Sequence, residues 1–235
     1  MALRQCRARD KRSSPARILI VMRAMPNISS TVLVIDDDAD LRGSVGRLLR
    51  SVGLDAVLFA SVSEFLGFRL PDGPTCLVLD VRLPGQSGLD LQRDLVAANR
   101  PFSIVFITGH GDIPMSVQAM KKGAVEFLTK PFREQALLDA IQLGLARDRA
   151  RREEEKSFAE LKERFDSLSP REREIVVQVS RGRLSKQIAA DIGITESTVK
   201  VHRSRAMRKM NANSLPELGR MADKLRLVPD MHEQY

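Results

Sequence analysis

The sequence predicts an α/β domain built on an open parallel sheet, followed by a small all-α domain. Three observations point there. Residues 31–145 alternate strand-like apolar runs with amphipathic helical stretches, as in a parallel sheet covered on both faces. Those runs end in polar residues able to do chemistry: Asp36 and Asp37, Asp80, Thr108 and Lys130. Near Ser169 a helix-capping signal opens a second region that reads as helices alone.

In chain order, the first strand is expected near 31–35, where Val32-Leu33-Val34-Ile35 runs into Asp36-Asp37. Asp38 and Asp40 then flank a helix near 39–52, as turn and cap residues do. A strand near 55–59 and a helix near 61–67 follow. The third strand, 76–80, is the run Cys76-Leu77-Val78-Leu79 closed by Asp80. The turn-rich stretch Arg82-Leu83-Pro84-Gly85-Gln86-Ser87-Gly88 leads into a helix near 88–99. Ile104-Val105-Phe106-Ile107 makes the fourth strand (103–107) and ends at Thr108. A helix near 112–121 precedes the fifth strand, 124–128, with Lys130 just beyond it. A last helix starts from 133. Right-handed crossovers bring the C-terminal ends of parallel strands to one edge, so the named side chains converge there.

Residues 146–167 form a charge-dense helical linker without Gly or Pro. Phe158, Leu161, Phe165 and Leu168 recur at helical spacing, either as a cap on a domain or as a dimer seam. The second domain, 168–225, opens with Ser169-Pro170-Arg171-Glu172, a capping box with Pro at the first helical position. Helices are expected near 170–181, 185–192, 196–210 and 214–225, broken at Gly182 and Gly193. Residues 226–235 read as a tail and 1–30 as a basic arm.

Charge divides along the same lines. The chain of 235 residues carries a net +8, but residues 1–25 hold seven Lys/Arg and one acid, 26–145 eleven and fourteen, and 146–235 twenty and fifteen. An acidic module followed by a basic one implies two tasks, the second facing a polyanion. With no Trp and one Tyr, aromatic stacking on bases is excluded as a main mode. Cys6 and Cys76 form no disulfide framework or zinc site, which fits a reducing cytoplasm. No apolar run approaches the roughly 20 residues of a membrane span, and no membrane partner is expected.

The string LSKQIAADIGITESTVKVHR, residues 184–203, fits a helix-turn-helix. Gly193 makes the turn and Thr195 caps the second helix. Val199, His202, Ala206 and Met210 form its inner stripe. The other side presents Ser197, Lys200, Val201, Ser204 and Arg208 for the DNA major groove, where a helix can read base edges. Lys200 and Val201 are the leading base readers. Lys186, Arg203, Arg205 and the hydroxyls of Thr195 and Thr198 are placed for phosphates.

VLVIDDD, LVLDVRLPGQSGLDL, VFITGHGDIPMSVQAMKKGAVEFLTKPF and LSPREREIVVQVSRG together resemble the two-component response regulators of the FixJ-like group, over roughly residues 31–222. The resemblance implies a flavodoxin-like receiver with strand order 2-1-3-4-5 and a LuxR-type DNA-binding domain. It implies Mg²⁺ held by Asp37, Asp80 and the Arg82 main-chain oxygen, with Asp36 acting through water, and phosphorylation of Asp80 by a sensor histidine kinase. Lys130 and Thr108 then contact the phosphoryl group and Phe127 follows Thr108 inward. It implies a cis Lys130-Pro131 bond, a homodimer on phosphorylation, and promoter DNA and RNA polymerase as partners of a transcriptional activator. Arg82 and His110, each two residues beyond a pocket residue, are candidates for setting the phosphate lifetime.

Two other readings stay open. An aspartyl-phosphate hydrolase commonly needs a second acid two residues after its nucleophile, a place held here by Arg82. A constitutive DNA-binding protein with a vestigial receiver would not need the acidic set or Lys130.

Overall fold

The computed structural model describes residues 29–109 and 113–227. His110, the arm up to residue 28 and the tail from 228 lie outside the described residues. The receiver half runs β1 (Thr31–Ile35), α1 (Ala39–Ser51), β2 (Asp55–Phe59), α2 (Val62–Leu66), β3 (Thr75–Asp80), α3 (Gly88–Ala97), β4 (Ser103–Thr108), α4 (Ile113–Lys121), β5 (Glu126–Thr129) and α5 (Glu134–Asp166). The sheet order is β2-β1-β3-β4-β5 and every pairing is parallel.

Successive strand side chains point to opposite faces, so each apolar run feeds two cores. On one face Leu33, Ile35, Leu77, Leu79 and Phe106 pack under Val62, Phe65, Leu91 and Leu95 of α2 and α3. On the other, Val32, Val34, Cys76, Val78 and Val105 meet Val45 and Leu49 of α1 and Leu137 and Ile141 of α5. Burying each such side chain contributes about 1.5–3 kcal/mol, which is why runs this apolar must be central strands. The fifth strand is shorter and later than expected: Ala124 and Val125 are buried ahead of the ladder, and pairing with β4 begins at Glu126.

The last receiver helix does not stop at residue 145. α5 continues unbroken for 33 residues to Asp166. Its far end carries Leu161, which packs with Leu168 into the core of the C-terminal domain, with Phe165 against that core. Phe158, the fourth member of the stripe, stays 39% exposed. The C-terminal domain comprises α6 (Pro170–Ser180), α7 (Ser185–Ile192), α8 (Glu196–Met210) and α9 (Leu215–Lys224). The capping box at Ser169 and Glu172 is formed in both directions.

Candidate phosphoacceptor pocket and DNA-reading helix

The polar strand ends meet at one edge of the sheet. Asp36 leaves β1 fully buried and accepts a hydrogen bond from the Asp38 N–H (2.9 Å). Asp38 in turn caps α1, accepting from the N–H groups of Asp40 and Leu41. Asp37, between them, is exposed. Asp80 ends β3 with 5% exposure, and one carboxylate oxygen accepts from the Arg82 N–H at 2.9 Å. The Arg82 side chain lies on the exposed rim. The backbone after Asp80 turns tightly: a Cβ on Gly88 would collide with the Asp80 main-chain oxygen.

Lys130 crosses the pocket. Its ammonium lies 2.8 Å from an Asp36 oxygen and 2.6 Å from the second Asp80 oxygen. The Lys130-Pro131 bond is cis, and the Lys130 N–H donates to the Thr108 carbonyl at 2.7 Å. Thr108 is fully buried at the end of β4. Phe127 is half-buried beside Phe106, with ring centroids 6.1 Å apart.

Asp36 and Asp80 share the Lys130 ammonium, exposed Asp37 adds a third carboxylate beside them, and the Arg42 guanidinium donates to the Asp36 main-chain oxygen at 2.6 Å. Burial pushes the Asp36 carboxyl above the ordinary carboxylate range, and the Lys130 contact offsets this only in part. For Lys130, burial favours the neutral form, but hydrogen bonds to Asp36 and Asp80 prevail and hold the ammonium above its ordinary value. Asp36, Asp37 and Asp80 each offer an oxygen within 4.8 Å of the others. A hard-oxygen cluster with excess negative charge fits a divalent cation such as Mg²⁺.

In the C-terminal domain, α7 ends at Gly193, whose φ of 68° turns the chain into α8. The Thr195 hydroxyl caps α8 by accepting from the Thr198 N–H at 3.2 Å, and its oxygen lies 2.8 Å from the hydroxyls of both Ser197 and Thr198. Val199, Ala206 and Met210 are fully buried and His202 half-buried, which makes one side of α8 internal. The opposite side exposes Ser197, Lys200, Val201, Ser204 and Arg208 together. Lys200 pairs with Glu196 at 2.8 Å on the surface. Lys186 and Arg205 are exposed, while half-buried Arg203 donates to the Ser185 hydroxyl at 2.9 Å. Lys209 turns away from this face, toward Glu172 (2.7 Å) and the Ser167 carbonyl (3.4 Å). Glu172 is buried, and the Lys209 contact holds its carboxyl below the ordinary range. Sequence spacing groups Lys209 with the other basic residues of α8; only packing separates it.

Among the described residues, no helix is long and apolar enough to cross a membrane. Residues 32–142 match the family described as response regulator receiver domain, and residues 166–222 match the bacterial regulatory proteins of the luxR family. Nodulation protein W of Bradyrhizobium diazoefficiens is 51% identical over 203 residues, 86% of this chain and 89% of that protein. Response regulator protein TodT of Pseudomonas putida is 44% identical, over 87% of this chain and 90% of its own. The transcriptional regulatory protein FixJ of Azorhizobium caulinodans is 43% identical, over 83% and 92%. The solved structure of response regulator StyR matches with a TM-score of 0.75 at 48% identity, covering 83% of this chain and 99% of that one.

Proposed function

This chain belongs to the two-component response regulators that join a receiver to a LuxR-type DNA-binding domain, and from that premise we propose that a sensor histidine kinase phosphorylates Asp80 and so controls promoter binding. The observation that carries the reading is the joining of Asp80, Asp36 and Lys130 at one edge of the sheet, on the same chain as a basic helix with an exposed face.

In the transfer an Asp80 oxygen forms the bond to phosphorus while the bond to the donor histidine nitrogen breaks, and that nitrogen leaves with the electron pair. Little covalent work falls to the protein; positioning and charge do the rest. Asp36, Asp37, Asp80 and the Arg82 main-chain oxygen would hold Mg²⁺, which supplies charge against the phosphoryl oxygens. Lys130 exchanges its contact with Asp80 for one with a phosphoryl oxygen. The Thr108 hydroxyl donates to another, and Phe127 moves into the space Thr108 leaves.

A single reading helix per chain calls for two copies on a pseudo-palindrome, so phosphorylation favours a homodimer on promoter DNA, where RNA polymerase is recruited in the cytoplasm. The exposed apolar residues Ile113, Val117 and Met120 of α4 favour that helix as the dimer surface.

The test is incubation with Mg²⁺ and a small acyl phosphate, followed by intact mass and oligomeric state, with Asp80→Asn alongside. One adduct that requires Asp80 and drives dimerisation is expected. No adduct under any donor, kinase included, would point to a vestigial receiver, and an adduct without dimerisation to relief of interdomain inhibition. Arg82 and His110 set the lifetime of that adduct, so Arg82→Ala and His110→Ala should each lose phosphate faster than the wild type. Equal rates would remove both from that role.

A further inference from the structure

The linker carries a buried carboxylate that the phosphoacceptor chemistry does not use. Asp148, on α5, is 2% exposed, although it lies in the run Arg147-Asp148-Arg149-Ala150-Arg151-Arg152. One of its oxygens meets Arg151 at 2.5 Å. The other meets Arg152 at 2.7 Å and accepts from the Thr75 N–H at 2.8 Å. Arg152 also donates to the Asp72 carbonyl at 3.0 Å. The cluster therefore joins α5 to the first residue of β3, the strand whose other end is Asp80. It lies in the stretch between the two matched family segments, 32–142 and 166–222.

Geometry gives this contact a consequence. At 1.5 Å per residue α5 is about 50 Å long, and a charged helix is marginal where nothing packs on it. The receiver holds it up to Arg152 through Asp148, with Arg149 also donating to the Ser30 hydroxyl at 3.3 Å; the C-terminal domain reaches back to Ser157 through Lys224 (3.5 Å) and packs on the helix from Leu161. Only residues 153–160, about two turns, are exposed throughout. Within and beside that stretch, Arg151 pairs with Glu155 and Arg164 lies 3.9 Å from Glu160.

We propose that Asp148 is a positioning residue for the linker: by clasping Arg151, Arg152 and the Thr75 N–H, it makes α5 a rigid strut with a fixed direction from the base of the sheet. Without the clasp the exposed stretch loses its one buried anchor and grows toward residue 146, and the two domains move as if on a tether.

Trypsin reads this directly, because the clasp lies among four arginines. The unphosphorylated full chain, Asp148→Ala, Arg152→Ala and, as a control on the same helix outside the clasp, Arg147→Ala would be compared. Cleavage after Arg151 and Arg152, away from the substituted positions, should run roughly tenfold faster in Asp148→Ala than in the wild type or Arg147→Ala, since cleavage follows local opening. Small-angle scattering should show a broader, more extended particle for the same variant. Loading of Asp80 from a small acyl phosphate should be unchanged, a result that a general loss of the receiver fold would not give. If Asp148→Ala loses loading, Arg152→Ala decides, because it loosens the clasp and leaves no bare arginine behind. Wild-type cleavage and scattering in the variant that still loads would overturn the proposal. These readouts need no phosphorylation-driven dimer, so they fail separately from the function proposed above.

Discussion

Lys130 is the side chain on which the resting pocket depends, because it pairs with both Asp36 and Asp80. Lys130→Ala leaves a fully buried Asp36 without its cation. Removing one partner of a buried pair costs about 3–5 kcal/mol, and the 21% exposure of the Lys130 side chain brings the expected loss to about 2 kcal/mol. Urea unfolding without divalent ions should show it, and Mg²⁺ should recover more stability in the variant than in the wild type. Gly88 is constrained by space rather than by backbone angle. Gly88→Ala should cost about 1–3 kcal/mol through displacement of the Asp80 backbone, with slower acyl-phosphate loading as the second sign. At this scale the sequence was legible where chemistry meets a strand end: Asp36, Asp80, Thr108 and Lys130 all close apolar runs. Gly88 looked like one more turn glycine, because a close approach between two backbones leaves no trace in local composition.

Among the elements, the strands and the helices of the second domain were legible because period and caps agree: Thr195 before α8, Ser169 with Glu172 before α6. β5 was harder to bound, since Ala124 and Val125 are as apolar as a strand yet precede its ladder. Asp148 was hidden for a different reason. A charge run normally describes a solvated face, and only the return of the chain at Thr75 buries this one. The reading face of α8 permits a sharper test. Lys200→Ala should relax discrimination between operator and mutated operator, whereas Arg205→Ala should weaken all DNA alike and lower the salt slope by about one. Binding titrations at several salt concentrations measure both, and identical behaviour of the two variants would contradict the division between base and phosphate contacts.

The whole molecule is an acidic switch and a basic reader held apart by one helix, and its pH dependence follows from that helix. Burial alone would raise the Asp148 carboxyl, but Arg151, Arg152 and the Thr75 N–H prevail and hold it below the ordinary value of 3.8. A carboxyl depressed on folding stabilises above that value and loses its contribution as pH falls through the lower, folded value. The linker should therefore keep its helical circular dichroism and slow hydrogen exchange at pH 5 and lose them only below about pH 4. Loss between pH 6 and 5 would mean that some other group holds it. The uncovered reading face has a consequence for how the promoter counts. Under the proposed dimer each chain brings one reader, whose face is exposed among the described residues, so the step that limits occupancy is the meeting of two. Far from saturation, doubling the number of active chains then raises promoter occupancy about fourfold, and a weak stimulus is discounted more than a strong one.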